Sequence, residues 1–116
     1  MMMNTVAIDF DGVIHSYSSG WHGAESAPDP PVPGIIEAIR DMRKAGYDVV
    51  VVSSRCSYPG GKKAIERYLD KHGIQLDGIT GEKIPALVYI DDRAIRFDGR
   101  PETLLEQVER FKPWNR

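Results

Sequence analysis

Apolar residues alternate along the chain between continuous runs and stretches at helical spacing. Residues 5–9 contain an apolar run that stops at Asp9, and residues 47–52 contain four consecutive valines. An apolar run without polar alternation predicts a strand buried on both faces, as in a parallel sheet. Residues 34–45 and the stretch from Gly60 to His72 place apolar side chains on one helical face, and a glycine follows each, which predicts two helices.

The second half of the chain continues this alternation with shorter elements. We predict a weak strand at 78–80, a stronger one at 86–90 and a short fifth strand at 95–97. A last helix should begin at Pro101, because proline suits the first turn of a helix. The apolar residues that line this helix are Leu104, Leu105, Val108 and Phe111. The sequence thus predicts a three-layer, Rossmann-like α/β fold, whose central and mostly parallel sheet is flanked by helices.

One long stretch interrupts the pattern. Residues 15–33 are rich in glycine, serine and proline and lack periodicity. A loop of this length in a small domain is usually functional or mobile. With 116 residues the chain is expected to form a single domain, residues 1–116.

Charge and cysteine content limit the binding partners and the cellular compartment that we expect for the protein. The net charge of -2 gives no general signature of nucleic-acid binding, although the end of a nucleic acid stays open as a substrate. The single cysteine, Cys56, excludes an internal disulfide and suits a reducing compartment. Residues 1–4 are too short and uncharged for a signal peptide. No apolar run reaches the ~20 residues of a membrane span, so we expect a cytoplasmic protein.

Polar residues stand where three predicted strands end. Asp9 and Asp11 follow the first strand, Ser53–Ser54 follow the second, and Asp91–Asp92 follow the strand at 86–90. Because ligands in such sheets bind beyond the carboxyl ends of the strands, we expect these groups to converge on one crevice.

Four carboxylates in one crevice require a cation. Mg²⁺ prefers oxygen ligands and commonly binds phosphate as well as carboxylate. The expected phosphate ligands are Ser53, Ser54, Arg55 and Lys83. Each has a structural alternative, because serine often caps turns, most lysines are solvated, and Arg55 equally suits an ion pair. Asp91 is likewise open between a metal-site role and pairing with Arg93. The three histidines, His15, His22 and His72, are expected in loops or at the surface rather than as metal ligands.

Four motifs resemble those of the haloacid dehalogenase-like phosphohydrolases: Asp9-Phe10-Asp11-Gly12-Val13, Ser53, Lys83 and Ile90-Asp91-Asp92-Arg93. The resemblance implies that Asp9 is the nucleophile, and that Asp11 is the general acid and base and binds Mg²⁺ through its carbonyl. It implies that Asp92 is a direct metal ligand, with Asp91 in support. Most members have a helix between the lysine and the acid pair, whereas here only residues 84–90 intervene, as in small members that lack a cap domain.

The resemblance implies a Mg²⁺-dependent phosphomonoester hydrolase that forms an aspartyl-phosphate. Without a cap, the loop at 15–33 or a second subunit would have to cover a phosphorylated small substrate. An open cleft equally suits the 3′-phosphate at a polynucleotide end. A receiver-like phosphoacceptor domain is a further alternative, but it needs an aspartate near mid-chain, where this chain has Ser53–Ser54. A non-catalytic binding module on the same fold is the last alternative.

Overall fold

The computed structural model describes residues 3–116, in which four strands form one parallel sheet. The strands are β1 (Thr5–Ile8), β2 (Asp48–Val52), β3 (Gly78–Thr80) and β4 (Val88–Ile90), and their order across the sheet is β3-β2-β1-β4. Three helices accompany them: α1 (Ile35–Lys44), α2 (Gly61–Lys71) and α3 (Leu104–Arg110). This arrangement confirms the predicted Rossmann-like α/β fold. Residues 1 and 2, part of the segment that we predict is no signal peptide, lie outside the described range.

The core lies between the sheet and the first two helices. The chain moves in one direction across the sheet from β1 to β2 to β3, so right-handed crossovers place α1 and α2 on the same face. The fully buried side chains of Ile8 and Val51 on the sheet pack in one cluster with Ile39 of α1 and Ile65 of α2. None of the helices in residues 3–116 has the length and apolarity that a membrane crossing requires.

The return of the chain to β4 creates the crevice for a site. After β3 the chain passes back over the sheet through residues 81–87 and adds β4 on the far side of β1. Connections therefore diverge between β1 and β4, and such a switch point opens a crevice at the carboxyl ends of the strands. The two strand ends are joined there by a hydrogen bond of 2.9 Å from Asp9 N to Ile90 O.

One expectation about the last third of the chain is wrong, and the last helix leaves much of its apolar face exposed. Residues 95–97 form no strand, and the side chain of Phe97 is 59% exposed. The last helix begins with a 3-10 turn at Pro101–Thr103, and its apolar residues Leu105 and Val108 are 72% and 61% exposed rather than buried. Helical spacing identifies an apolar face, but it cannot show whether a surface exists for that face to cover.

Candidate functional site

Three carboxyl groups meet at the crevice between β1 and β4. Asp9 follows β1 directly, and Asp91 and Asp92 follow β4. Each offers a carboxylate oxygen, and these oxygens all lie within 4.8 Å of one another. We call these three residues the carboxylate cluster. The predicted convergence of strand ends therefore holds for β1 and β4.

The carboxylate cluster is strained electrostatically. Burial, with smaller effects from the charge of Asp91 and a hydrogen bond with Asp92, raises the pKa of Asp9 from 3.8 to about 8. Within residues 3–116, the buried Oδ1 atom of Asp92 has no hydrogen-bond partner. A buried carboxylate oxygen without a donor is costly, so the site suits a cation. An all-oxygen set of carboxylates fits the ligand preference of Mg²⁺.

Gly12 makes room for Asp92. Its φ is 84°, a left-handed conformation that residues with a side chain rarely adopt. A Cβ atom at this position would also overlap with Oδ2 of Asp92. The turn after Asp11 therefore packs directly against one carboxyl group of the cluster.

Gly12→Ala should weaken Mg²⁺ binding and lower the free energy of unfolding by about 1–3 kcal/mol, because the new methyl group displaces Asp92 and strains the turn. Gly34→Ala is the matched control, since Gly34 has a φ of 85° and, among residues 3–116, nothing from elsewhere in the fold lies within 4 Å of the position of its Cβ. Calorimetric titration with Mg²⁺ and urea unfolding measure both effects. Equal Mg²⁺ affinity in the two variants would contradict the role given to Gly12.

Asp11 lies outside the carboxylate cluster and is bound by two side chains. Arg55 donates from Nε to Oδ2 at 2.7 Å and from Nη2 to Oδ1 at 3.0 Å, and His15 Nδ1 lies 2.8 Å from Oδ1. Burial raises the pKa of Asp11, but the hydrogen bonds from His15 and Arg55 outweigh it, so the net pKa lies below 3.8. Asp11 is therefore held as a carboxylate in this arrangement.

Arg55 is buried and committed to contacts within the chain. Its side chain is 1% exposed, and besides Asp11 it binds the loop at 15–33 through Nη1. Nη1 donates to the carbonyl oxygens of Gly23, Ala24 and Ser26 at 2.9–3.1 Å. We predict from the sequence that Arg55 binds phosphate, and this role would require these contacts to open.

His15 is a site residue that the sequence analysis missed. It lies in a loop, as expected, but its side chain is fully buried rather than at the surface. The backbone N–H of Asp29 donates to its Nε2 at 3.0 Å, so its proton resides on Nδ1 and is donated to Asp11. The available signal was its position four residues after Asp11, directly behind the apolar Val13–Ile14.

The structure assigns no phosphate-binding role to the other predicted phosphate ligands, which are Ser53, Ser54 and Lys83. The Oγ of Ser53 accepts the backbone N–H of Arg55 at 3.2 Å and caps the 3-10 helix Ser54–Ser57, while Ser54 is exposed. Lys83 is exposed, and its Nζ lies 5.8 Å from the centre of the Tyr89 ring. Within residues 3–116, no hydrogen bond or ion pair joins Lys83 to Asp9. The roles of these three residues in phosphate binding stay predictions.

No protein-family model matches the chain, and no curated protein matches it in sequence. Several solved structures share its fold. A conserved protein of Bacteroides thetaiotaomicron is 21% identical, with a TM-score of 0.60 over 90% of this chain and 88% of that one. A chain of the Pnkp1/Rnl/Hen1 complex is 20% identical, with a TM-score of 0.59 over 99% of this chain and 37% of that one. A protein of Vibrio cholerae is 25% identical, with a TM-score of 0.53 over 92% of this chain and 98% of that one.

These similarities support the fold and carry no conclusion about function. At such identities the shared property is the α/β architecture, because one fold hosts many functions. This chain spans just over a third of the Pnkp1/Rnl/Hen1 chain that it matches.

Proposed function

We propose that the chain is a Mg²⁺-dependent phosphomonoester hydrolase of the haloacid dehalogenase-like type, with residues 1–116 as a single catalytic domain. The observation that carries this proposal is the buried Oδ1 of Asp92 inside the carboxylate cluster, which has no hydrogen-bond partner in the part of the chain that the structure describes. Without a cation, the three adjacent acids are accommodated at the cost of a pKa of about 8 for Asp9 and a buried Asp92 oxygen without a donor. A site that receives a cation together with a phosphate ester relieves this cost.

The carboxylate cluster is the proposed metal site. Asp9 and Asp92 would hold the ion, with Asp91 in support, and the backbone carbonyl of Asp11 is a further proposed ligand. When bound, Mg²⁺ neutralises the acids and polarises the phosphoryl group toward attack.

Asp9 and Asp11 divide the chemistry between them. A carboxylate oxygen of Asp9 bonds to phosphorus while the ester P–O bond breaks, and the leaving oxygen takes a proton from Asp11. Water then attacks the same phosphorus and gives a proton to Asp11. The bond between the Asp9 oxygen and phosphorus breaks, so phosphate is released and the carboxylate of Asp9 is restored. The first step needs Asp11 protonated, so its carboxyl group must leave Arg55 before it donates. The second step uses the carboxylate form that Arg55 and His15 stabilise.

The substrate class follows from how the site is covered. The loop at 15–33 is tied to Arg55, and no cap domain is present among residues 3–116. An uncovered crevice admits the phosphate at the end of a large molecule as well as a small phosphoester. A second matching structure of Pnkp1/Rnl/Hen1 is described as an RNA repair complex, which makes a 3′-phosphorylated polynucleotide end one substrate to test. Closure over a small substrate by the loop or by a second subunit is the other arrangement to test.

A phosphatase screen tests the proposal directly. Sugar phosphates, nucleotides and 3′-phosphorylated oligonucleotides should be offered with Mg²⁺ and again with EDTA. We expect phosphate release from at least one class, and we expect EDTA to abolish it. Absence of turnover on all three classes, or turnover that EDTA leaves unchanged, would contradict the proposal.

Asp92→Asn should raise the Mg²⁺ concentration needed for half-maximal phosphate release by at least about tenfold, because a charged metal ligand becomes neutral. Asp91→Asn is the matched comparison and should shift the titration less. Titrating Mg²⁺ against activity in both variants distinguishes the two positions. A larger shift for Asp91→Asn would transfer the direct ligand role to Asp91.

A further inference from the structure

The segment after α3 returns to the loop that follows Asp11. Trp114 Nε1 donates to the carbonyl of Gly12 at 2.8 Å, Asn115 Nδ2 to that of Ser16 at 2.9 Å, and Arg116 Nη2 to that of Tyr17 at 2.9 Å. Three consecutive side chains therefore satisfy three backbone carbonyls of one loop. We call residues 114–116 the strap and residues 12–17 the strapped loop.

The strapped loop contacts both sets of carboxyl groups in the site. At one end, Gly12 packs against the carboxyl group of Asp92. In its middle, the buried His15 donates to Asp11. A shift of this loop would therefore move the partners of Asp92 and Asp11 together.

The far end of the strapped loop is held in a conformation that needs support. Tyr17 has a φ of 59°, the only positive value of a residue other than glycine in residues 3–116. Such a backbone persists where surrounding contacts fix it. Arg116 supplies two contacts, the hydrogen bond to the Tyr17 carbonyl and a guanidinium 5.1 Å from the centre of the Tyr17 ring.

We propose that Trp114, Asn115 and Arg116 are positioning residues, which hold the strapped loop so that Gly12 and His15 place Asp92 and Asp11. The hydrogen bonds of the strap go to backbone carbonyls of the strapped loop, and within residues 3–116 none joins the strap to the carboxyl group of Asp11 or Asp92. The effect on catalysis rests on the proposed function, whereas the effect on loop order does not. Trp114 is 63% exposed, so its indole contributes to the site mainly through the N–H group rather than through burial in the core.

Amide hydrogen exchange in two strap variants tests the loop directly. Trp114→Phe keeps an aromatic ring and removes the donor, and Arg116→Met keeps a long side chain and removes the guanidinium. Arg110→Met is the control, since Arg110 lies on the exposed surface of α3 in a pair with Glu106. The reporting amides are those of Gly12, which bonds to the His15 carbonyl, and of Ile14 and His15, which bond to the Phe10 carbonyl.

In the strap variants we expect these amides to exchange about fivefold faster, the effect of losing one net hydrogen bond. Amides of α2 should keep their wild-type rates. If the wild type hydrolyses phosphomonoesters, kcat should fall several-fold with KM within about twofold, because positioning of reacting groups rather than substrate binding is lost. Arg116→Lys, which retains a donor, should recover part of the loss.

The outcomes separate this proposal from the proposed function. Wild-type exchange rates in both strap variants would overturn the positioning role, whatever the activity. Faster exchange together with unchanged kcat in an active enzyme would also overturn it. A wild type that hydrolyses no phosphomonoester would refute the proposed function, and the exchange rates would then decide alone whether the strap orders the loop.

Discussion

Asp9→Asn is expected to lower Mg²⁺-dependent phosphate release by at least about a thousandfold, because an amide oxygen does not replace a carboxylate as nucleophile. The fold should survive. Burial and the neighbouring acids already raise the pKa of Asp9 to about 8, so the metal-free protein gains from a neutral side chain at this position. Steady-state phosphate release and thermal unfolding without Mg²⁺ measure the two effects.

A control for this prediction is Asp70→Asn, which makes the same chemical change at an exposed position on α2. It should leave both turnover and the unfolding temperature near their wild-type values. An Asp9→Asn variant that retained wild-type turnover would remove Asp9 from the chemistry. A variant that lost turnover and also unfolded at a much lower temperature would instead point to a structural role.

Arg55→Met should lower the free energy of unfolding by about 3–5 kcal/mol, the usual cost of removing one partner from a buried ion pair. The substitution removes two sets of hydrogen bonds. The carboxylate of Asp11 loses two donors, and three carbonyls in the loop at 15–33 lose theirs. Urea unfolding measures the change, and Arg67→Met on the exposed face of α2 is the control.

A double variant separates the charge from the packing of Arg55. Adding Asp11→Asn to Arg55→Met removes the uncompensated carboxylate, so part of the lost stability should return. The carbonyls of the loop would still lack a donor, so recovery should be incomplete. If the two substitutions had additive effects, the ion pair with Asp11 would not be what Arg55 contributes.

The carboxylate cluster was predictable because its causes are local in sequence. Apolar runs that end in acids fix both the strands and the position of the acids on them, and parallel strands bring their carboxyl ends to one edge. Asp9 and Asp91–Asp92 meet for this reason. The strand order that makes β1 and β4 neighbours is a property of the structure, but any order that paired these two strands would join the same acids.

The surroundings of Asp11 were not predictable from the sequence, because they are formed by residues that lie far apart along the chain. Arg55 lies 44 residues from Asp11, and Asp29 lies 14 residues from His15. A single arginine or histidine in a sequence is compatible with an exposed position, and only the fold shows that each is buried against polar partners. The exposed face of α3 is the opposite case, since helical spacing of apolar residues is typical of a buried face, yet Leu105 and Val108 are exposed.

Trapping of a covalent phosphate on Asp9 tests whether Asp9 is the nucleophile. The protein is mixed with Mg²⁺ and a radiolabelled phosphomonoester from the class that it hydrolyses, and the reaction is quenched with acid within one turnover. We predict a label that hydroxylamine removes, located on the peptide that contains Asp9 and absent from Asp9→Asn. Turnover without any covalent label, or an equal label on Asp9→Asn, would contradict it.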